Sequence, residues 1–121
     1  MRAVVLRSYG PPPQLAVEEV ARPQLQAGQV RVRVHAVGFG FPDALMIAGK
    51  YQVKPEVPFT PGNEVAGVVT EVGPDVTNLH VGARVLFVAG QGGLAEEFVG
   101  NAASAIPLPD GSHYHEIKAK T

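Results

Sequence analysis

The chain has 121 residues, of which 45% are hydrophobic and 17% are charged. This length suits one hydrophobic core and is too short for two full domains. Ten basic residues against eleven acidic ones give a net charge of -1, so no excess of positive charge draws the surface toward nucleic acid or an acidic membrane. The chain contains no cysteine, which excludes disulfides, thiolate catalysis and zinc bound through sulfur.

Membrane and secretory segments are not evident. No apolar run approaches the roughly 20 residues that a membrane-spanning helix needs, and the opening MRAVVLRSYG lacks the longer apolar segment of a secretory signal. We therefore expect a soluble, cytoplasmic protein whose partners are neither nucleic acid nor membrane.

Fourteen glycines and eleven prolines divide the sequence into short segments, a composition typical of a mostly β domain. In chain order, the pattern predicts strands at 3–7, 15–20, 29–37, 65–72, 84–88, 94–99 and 105–108. Three consecutive prolines between the first two strands leave their pairing open. Strand 29–37 alternates strictly, which predicts one apolar face (Val30, Val32, Val34, Ala36) and one polar face (Gln29, Arg31, Arg33, His35).

One short helix is predicted at 42–48, where a proline stands near the first helical position and Gly49 ends the pattern. About seven short strands with one helix predict a compact, partly open β-barrel. Residues 112–121, SHYHEIKAKT, continue no pattern and are interpreted as a divergent polar tail. The domain proper is then 1–111.

Common catalytic and metal motifs are missing. The four histidines, His35, His80, His113 and His115, form no close ligand pair outside the tail, so we expect no metal role for them. No serine lies in a G-x-S-x-G elbow. The cluster GQGG at 90–93 lies between two strands, where a dinucleotide fingerprint needs a strand before it and a helix after it. We interpret it as a hairpin loop that needs positive φ.

Six segments in a fixed order are more informative than any single motif: PDALMIAGKY, PFTPGNEVAG, VVTEVG, VGARV, GGLAEEFV and IPLPDG. In this order and spacing the chain resembles the medium-chain dehydrogenase/reductase superfamily, within it the zinc-independent quinone oxidoreductases related to zeta-crystallin. The resemblance extends from Met1 to about Gly111. It implies a GroES-like N-terminal domain, and it implies that the Rossmann domain of family members is absent from this chain.

The resemblance also gives a meaning to PGNE at 61–64. In the zinc alcohol dehydrogenases of the superfamily, a histidine ligand stands where this chain has Asn63, and a cysteine ligand stands at about Gly40. Neither residue is a normal zinc ligand, so we expect no zinc. Glu64 is then expected to brace the turn through backbone N–H groups.

By resemblance, the family reaction is hydride transfer from NADPH to a quinone or an enone. Phe39, Phe41 and Tyr51 are the candidate substrate-binding residues, because aromatic rings offer a flat apolar wall. Tyr51 is also the candidate catalytic residue, through a hydrogen bond to a substrate oxygen. Gly40 and Asn63 are the candidate cofactor-binding residues. Phe59 is assigned to the core instead.

Whether the chain acts as an enzyme by itself stays open. Without a Rossmann domain it has no evident way to bind NADPH, so we expect the chain alone to be inactive, with a separate Rossmann half or a second copy of itself as possible partners. The alternative is a stand-alone β-barrel binding or assembly module without enzymatic activity. A metal-dependent alcohol dehydrogenase is disfavoured by Asn63 and by the lack of cysteine.

Overall fold

The computed structural model describes residues 1–10, 12–38, 40–50 and 55–109, and of Phe41 and Pro42 it describes only the backbone. The strands in this part of the chain are β1 (Arg2–Ser8), β2 (Gln14–Glu19), β3 (Gln29–Gly38), β4 (Glu64–Val72), β5 (Arg84–Val88), β6 (Glu97–Asn101) and β7 (Ile106–Pro107). The helix α1 spans Phe41–Ile47, and Ala102–Ser104 form a turn of 3-10 helix. The predicted mostly β fold with one short helix is confirmed. The predicted tail, 112–121, lies outside the described residues, so the boundary at residue 111 stays a prediction.

The strands form two antiparallel sheets. β1 and β2 pair from Arg2 with Glu19 to Ser8 with Gln14, so the two strands form a pair despite the proline-rich connection. The other five strands lie in the order β6-β3-β4-β5-β7. Single β-bridges from Ala3 to Ala95 and from Leu6 to Phe59 connect β1 to segments later in the sequence. The described strands do not close into a complete barrel, in agreement with the partly open barrel that the sequence predicts.

One predicted strand and one predicted hairpin differ in the structure. β6 begins three residues later than predicted, because residues 94–96 first run beside β1: the Val4 N–H donates to the Leu94 carbonyl at 2.8 Å and the Glu96 N–H donates to the Arg2 carbonyl at 3.1 Å. The loop 90–93 has positive φ at Gly90 and Gly92, as predicted. It is not a hairpin, however, since β3 and β4 lie between β5 and β6.

Two apolar clusters hold the domain together. The larger lies on one face of the five-stranded sheet and comprises Val30, Val32, Val65, Val69, Leu79, Val85, Phe87 and Ala102. The smaller packs α1 against β1 and comprises Leu6, Met46, Ile47 and Phe59. Each fully buried side chain of this size contributes about 1.5–3 kcal/mol relative to an exposed one. Phe59 belongs to the core, as predicted, with 8% of its surface exposed.

The polar face of β3 differs from the prediction at one residue. Arg33 and His35 are exposed as expected, whereas Arg31 is only 7% exposed. Arg31 lies directly opposite Glu71 on β4, and its Nε donates to Glu71 Oε1 at 3.0 Å. Pairing with a cross-strand carboxylate allows the guanidinium to be buried on a face where its neighbours remain in water.

Close contact between β3 and β4 depends on a glycine. A Cβ at Gly67 would lie 2.1 Å from the carbonyl oxygen of Arg33. The register of the two strands shifts beside this position, between Val34 and Ala36. Only a residue without a side chain allows the strands to approach at this irregularity.

No helix in the described ranges has the length and hydrophobicity that crossing a bilayer requires.

Candidate functional site

The candidate residues Gly40 and Asn63 lie at the same end of the five-stranded sheet. Gly38 is the last residue of β3 and pairs with Glu64, the first residue of β4. Glu64 in turn pairs with Val88, the last residue of β5. Because the strands are antiparallel, the residues after β3, before β4 and after β5 are brought to one edge. The topology therefore assembles this edge from three segments that are distant in sequence.

Asn63 connects two of these segments. Its side-chain Oδ1 accepts a hydrogen bond from the Gly90 N–H at 2.9 Å, and its backbone carbonyl accepts one from the Ala89 N–H at 2.6 Å. The Nδ2 group of Asn63 has no hydrogen-bond partner among the described residues. One side of this amide thus holds the fold, and the other retains two N–H donors for a ligand.

The loop 60–63 is closely paired with the glycine-rich loop 90–93. The Gly92, Gly93 and Leu94 N–H groups donate to the carbonyls of Thr60, Gly62 and Pro61 at 2.7, 3.0 and 3.0 Å. Gly62 has φ of 113°, and a Cβ there would lie 2.7 Å from the Leu94 nitrogen. The glycines therefore permit a close contact between two backbones. The backbone around Asn63 is fixed from both sides.

Gly40 is the N-cap of α1, the residue immediately before the helix. The Gly40 N–H donates to the Asp43 carboxylate Oδ2 at 2.8 Å, and its carbonyl accepts from the Ala44 N–H at 3.2 Å. Asp43 is 2% exposed, so the carboxylate is held in place as an N-terminal capping group. The backbone N–H of Gly40 is thereby used within the chain, and Gly40 offers a cofactor no free amide proton.

Tyr9 contacts Gly49 and Pro55, two described residues after α1. Its ring lies 6.2 Å from that of Phe59, and its hydroxyl donates to the Pro55 carbonyl. Gly49, with φ of 75°, lies against the same ring, since a Cβ there would lie 3.3 Å from Tyr9 Cβ. Burial raises the pKa of the Tyr9 phenol above its ordinary value, so the hydroxyl stays a hydrogen-bond donor at neutral pH. Tyr9 contacts both ends of the segment 49–55.

Family comparison identifies the class of protein that this edge belongs to. Residues 26–110 match the family model of the alcohol dehydrogenase GroES-like domain. The chain belongs to this family.

Individual relatives narrow the resemblance within the GroES-like family. A quinone oxidoreductase-like protein 2 homolog from Nematostella vectensis is 52% identical over 100 residues, which are 81% of this chain and 27% of that protein. The quinone oxidoreductase of Rattus norvegicus is 36% identical over 112 residues, which are 91% of this chain and 34% of that protein. The resemblance to quinone oxidoreductases that the motifs indicate is confirmed.

A solved structure shows the same similarity in three dimensions. The quinone oxidoreductase from Thermus thermophilus, whose crystal structures include a complex with NADPH, matches with a TM-score of 0.78 at 37% identity, covering 93% of this chain and 34% of that one. The GroES-like chain thus spans about a third, or less, of the length of these relatives.

The aromatic residues of the predicted wall are not tested by the structure. Phe39 and Tyr51 lie outside the described residues, and Phe41 is described only through its backbone, at the first position of α1. Of the residues predicted to face a substrate or cofactor, only Gly40 and Asn63 are described in full, and they lie at one edge of the sheet. Their roles in binding stay predictions.

Metal ligands do not gather in the described part of the chain. There, no three His, Asp or Glu side chains come together as a metal site would require. Sequence reasoning did not find the partner of Asn63. The available signal was the pair of glycines at 90 and 92, because a loop with repeated positive φ presents its N–H groups to a neighbour.

Proposed function

We propose that this chain is the N-terminal, substrate-side domain of a zinc-free, NADPH-dependent oxidoreductase that reduces quinones or enones. In that reaction a hydride from the nicotinamide is transferred to a flat, conjugated carbonyl compound. Its relatives named as quinone oxidoreductases support the class of substrate, and a relative solved in complex with NADPH supports the cofactor.

The observation that carries the proposal is the bonding of Asn63. By resemblance this is the position of a histidine zinc ligand in metal-dependent relatives, and here its side-chain oxygen accepts from the Gly90 N–H. A neutral amide held in this way is no zinc ligand. Quinones and enones accept hydride without a metal, provided that the two reacting rings are held face to face and water is kept out.

The described residues do not by themselves fit a dinucleotide. Every strand pairing among them is antiparallel, so the connection from β3 through α1 to β4 is not the parallel strand–helix–strand unit that seats a pyrophosphate at a helix N-terminus. At this edge of the sheet we assign one hydrogen-bond donor to the cofactor, the Nδ2 group of Asn63. We therefore propose that a separate Rossmann domain holds NADPH, and that the present chain alone is inactive.

We assign the substrate-binding surface to aromatic residues that are close to α1 in the sequence. Phe39 and Phe41 would supply the flat wall, and the Tyr51 hydroxyl would donate a hydrogen bond to the substrate oxygen. Tyr9 supports this assignment indirectly, because its contacts with Gly49 and Pro55 hold the two ends of the segment that carries Tyr51.

A reconstitution experiment tests the proposed function. The purified chain is mixed with NADPH and 1,4-benzoquinone, first alone and then with the dinucleotide-binding domain of the Thermus thermophilus enzyme as a separate polypeptide. We expect NADPH oxidation, followed by its absorbance, only in the mixture.

The matched control is the GroES-like domain of the Thermus thermophilus enzyme in place of this chain. If that pair is active and the pair with this chain is not, the enzymatic proposal fails and the stand-alone binding module is favoured. Activity of this chain alone would contradict the need for a second domain.

A further inference from the structure

A charged cleft of about 400 Å³ lies on the polar face of the five-stranded sheet, near the beginning of β3. Besides Met1 and Thr70, it is lined by three arginines and three glutamates: Arg22, Arg31, Arg33, Glu71, Glu96 and Glu97. Arg31 is seven residues before Gly38 along β3, a distance of about 23 Å at the usual rise of an extended strand. The cleft is therefore separate from the edge that carries Asn63.

All three carboxylates of the cleft already have cationic partners. Both oxygens of Glu97 accept from the Arg22 guanidinium, at 2.6 and 3.0 Å. Glu71 accepts from Arg31 Nε at 3.0 Å. Glu96 accepts from the backbone N–H of Arg2 and lies 3.7 Å from its guanidinium. Among the described residues, none of these carboxylates accepts a hydrogen bond from Nη1 of Arg31 or from the Arg33 side chain.

Two guanidinium groups retain unused donors. Nη1 of Arg31 is buried and has no hydrogen-bond partner, and the side chain of Arg33 has no ion-pair or hydrogen-bond partner in the described part of the chain. A buried N–H group without a partner is costly, all the more on a charged side chain. The two arginines are two residues apart on one strand, so they share a face at a spacing of about 6.6 Å.

We propose that this cleft is a binding site for a small oxyanion, a carboxylate or a phosphate group, held between Arg31 and Arg33. The planar guanidinium matches the oxygens of both anions with two parallel N–H donors. A ligand without acceptor atoms would leave the unused donors unsatisfied, and a cation would be repelled by the two guanidinium groups; charge-assisted bonds from Arg to an oxyanion are stronger than those to a neutral acceptor. The site is independent of the proposed quinone reduction.

We expect entry of the anion to involve movement of the exposed side chains that line the cleft. Nη1 of Arg31 is covered in the present arrangement, but the side chains of Glu71 and Arg22 that line the cleft are 55% and 58% exposed. Glu71 occupies the Nε edge of Arg31 and competes with the anion for the same guanidinium. Removing the charge of Glu71 is therefore expected to strengthen anion binding.

The test is a titration of the purified, isotope-labelled chain with sodium phosphate and, separately, with sodium acetate, followed by two-dimensional nitrogen–proton NMR. Sodium chloride keeps the ionic strength constant throughout. We expect saturable shifts of the backbone amides of Arg31, Arg33 and Thr70 and of arginine side-chain Nε–H signals. Saturation by phosphate only, by acetate only or by both identifies the oxyanion, and each result supports the site.

Three variants make the test specific. Arg33→Gln is expected to weaken binding by about fivefold or more, and Glu71→Gln is expected to strengthen it severalfold. Each variant removes one charge next to the anion, and a fivefold change in affinity corresponds to about 1 kcal/mol. Both changes are at exposed side chains, and the unliganded spectrum reports whether each variant is folded. Arg7→Gln removes the same charge on β1 and is expected to leave binding unchanged.

The proposal is overturned if the shifts grow linearly without saturation, or if chloride alone produces the same shifts. It is equally overturned if Arg33→Gln binds as tightly as Arg7→Gln.

Discussion

Asn63 contributes to the fold through one side-chain oxygen, and its replacement is the first test of that role. Asn63→Ala removes the side-chain oxygen that accepts from the Gly90 N–H. This hydrogen bond is a side-chain contact between loops 60–63 and 90–93. This bond is on the exposed side, where water can replace the acceptor, so we expect a loss of about 0.5–1.5 kcal/mol in the free energy of unfolding. Urea denaturation measures it.

Asn63→Asp is the matched control, because a carboxylate oxygen can still accept from Gly90. Its free energy of unfolding is expected to be within about 0.5 kcal/mol of that of the native chain. Equal stability of the Ala variant and the native chain would show that the side chain does not hold the loop.

Gly67 allows a steric prediction that separates crowding from backbone strain. A Cβ at Gly67 would lie 2.1 Å from the Arg33 carbonyl oxygen, so Gly67→Ala must push β3 and β4 apart. We expect a loss of about 2 kcal/mol or more in the free energy of unfolding, a cost typical of overpacking. The comparison is Gly82→Ala, where φ is 94° but no atom lies within 4 Å. That variant should lose only about 1 kcal/mol, from backbone strain alone.

Chemical denaturation of both glycine variants measures the two losses in the free energy of unfolding. A Gly67 variant no less stable than the Gly82 variant would mean that the strands adjust without cost.

Two cases show why sequence alone could not predict the partners of individual side chains. Arg31 and Arg33 occupy equivalent positions in an alternating strand, and only the register places Glu71 opposite Arg31. Likewise, Asn63 and Gly90 are 27 residues apart, a contact that no local pattern encodes. Alternation predicts the face of a residue, whereas its partner depends on which strand lies alongside.

Elements with local signals were predicted closely. The helix α1 was predicted within one residue at each end, because Pro42 and Gly49 are signals carried by neighbouring residues. β5 was predicted without error at 84–88. β6 was less accurate because residues 94–96 have a different partner, β1, whose position depends on the tertiary fold.

The ion pair between Arg22 and Glu97 joins the connection after β2 to β6, and we expect it to make the stability of the domain dependent on pH. The hydrogen bond from Arg22, with further attraction from Arg22 and Arg31, holds the pKa of Glu97 below its ordinary 4.5, although burial opposes the shift. A carboxylate with a lowered pKa in the folded chain stabilises the fold above that ordinary value. This stabilisation is lost as the pH falls through the folded pKa.

Glu97→Gln is therefore expected to flatten the decrease in unfolding free energy between about pH 6 and pH 3. Urea denaturation across that range measures the slope. Glu56→Gln is the charge-matched control, at an exposed position outside the strands, and should retain the native slope. If the unfolding free energy of the Glu97 variant decreases as steeply toward pH 3 as that of the control, this ion pair does not cause the pH dependence.

At the scale of the whole molecule, sequence predicted the fold class and the family but not the order of the strands. Six short motifs kept their order, which was enough to indicate the GroES-like domain that the family match confirms. The placement of β6 beside β3 joins residues about 70 positions apart, as in the pair Gln29 and Asn101. Such long-range pairing is set by the burial of the whole apolar face and not by any segment alone.

The proposed two-domain enzyme allows a test of the role assigned to Tyr51. In the reconstituted pair of this chain and a Rossmann domain, Tyr51→Phe is expected to lower kcat/KM for benzoquinone about tenfold, the effect of one hydrogen bond of roughly 1.4 kcal/mol. Because the ring is retained, the flat wall should persist, and the loss should be greater in kcat than in KM. Tyr114→Phe is the matched control, since Tyr114 belongs to the predicted tail at 112–121 and should leave both constants unchanged. If the Tyr51 variant keeps full activity, its hydroxyl does not act on the substrate; if instead the Tyr114 variant loses activity, the tail is part of the functional domain and the boundary at residue 111 is wrong.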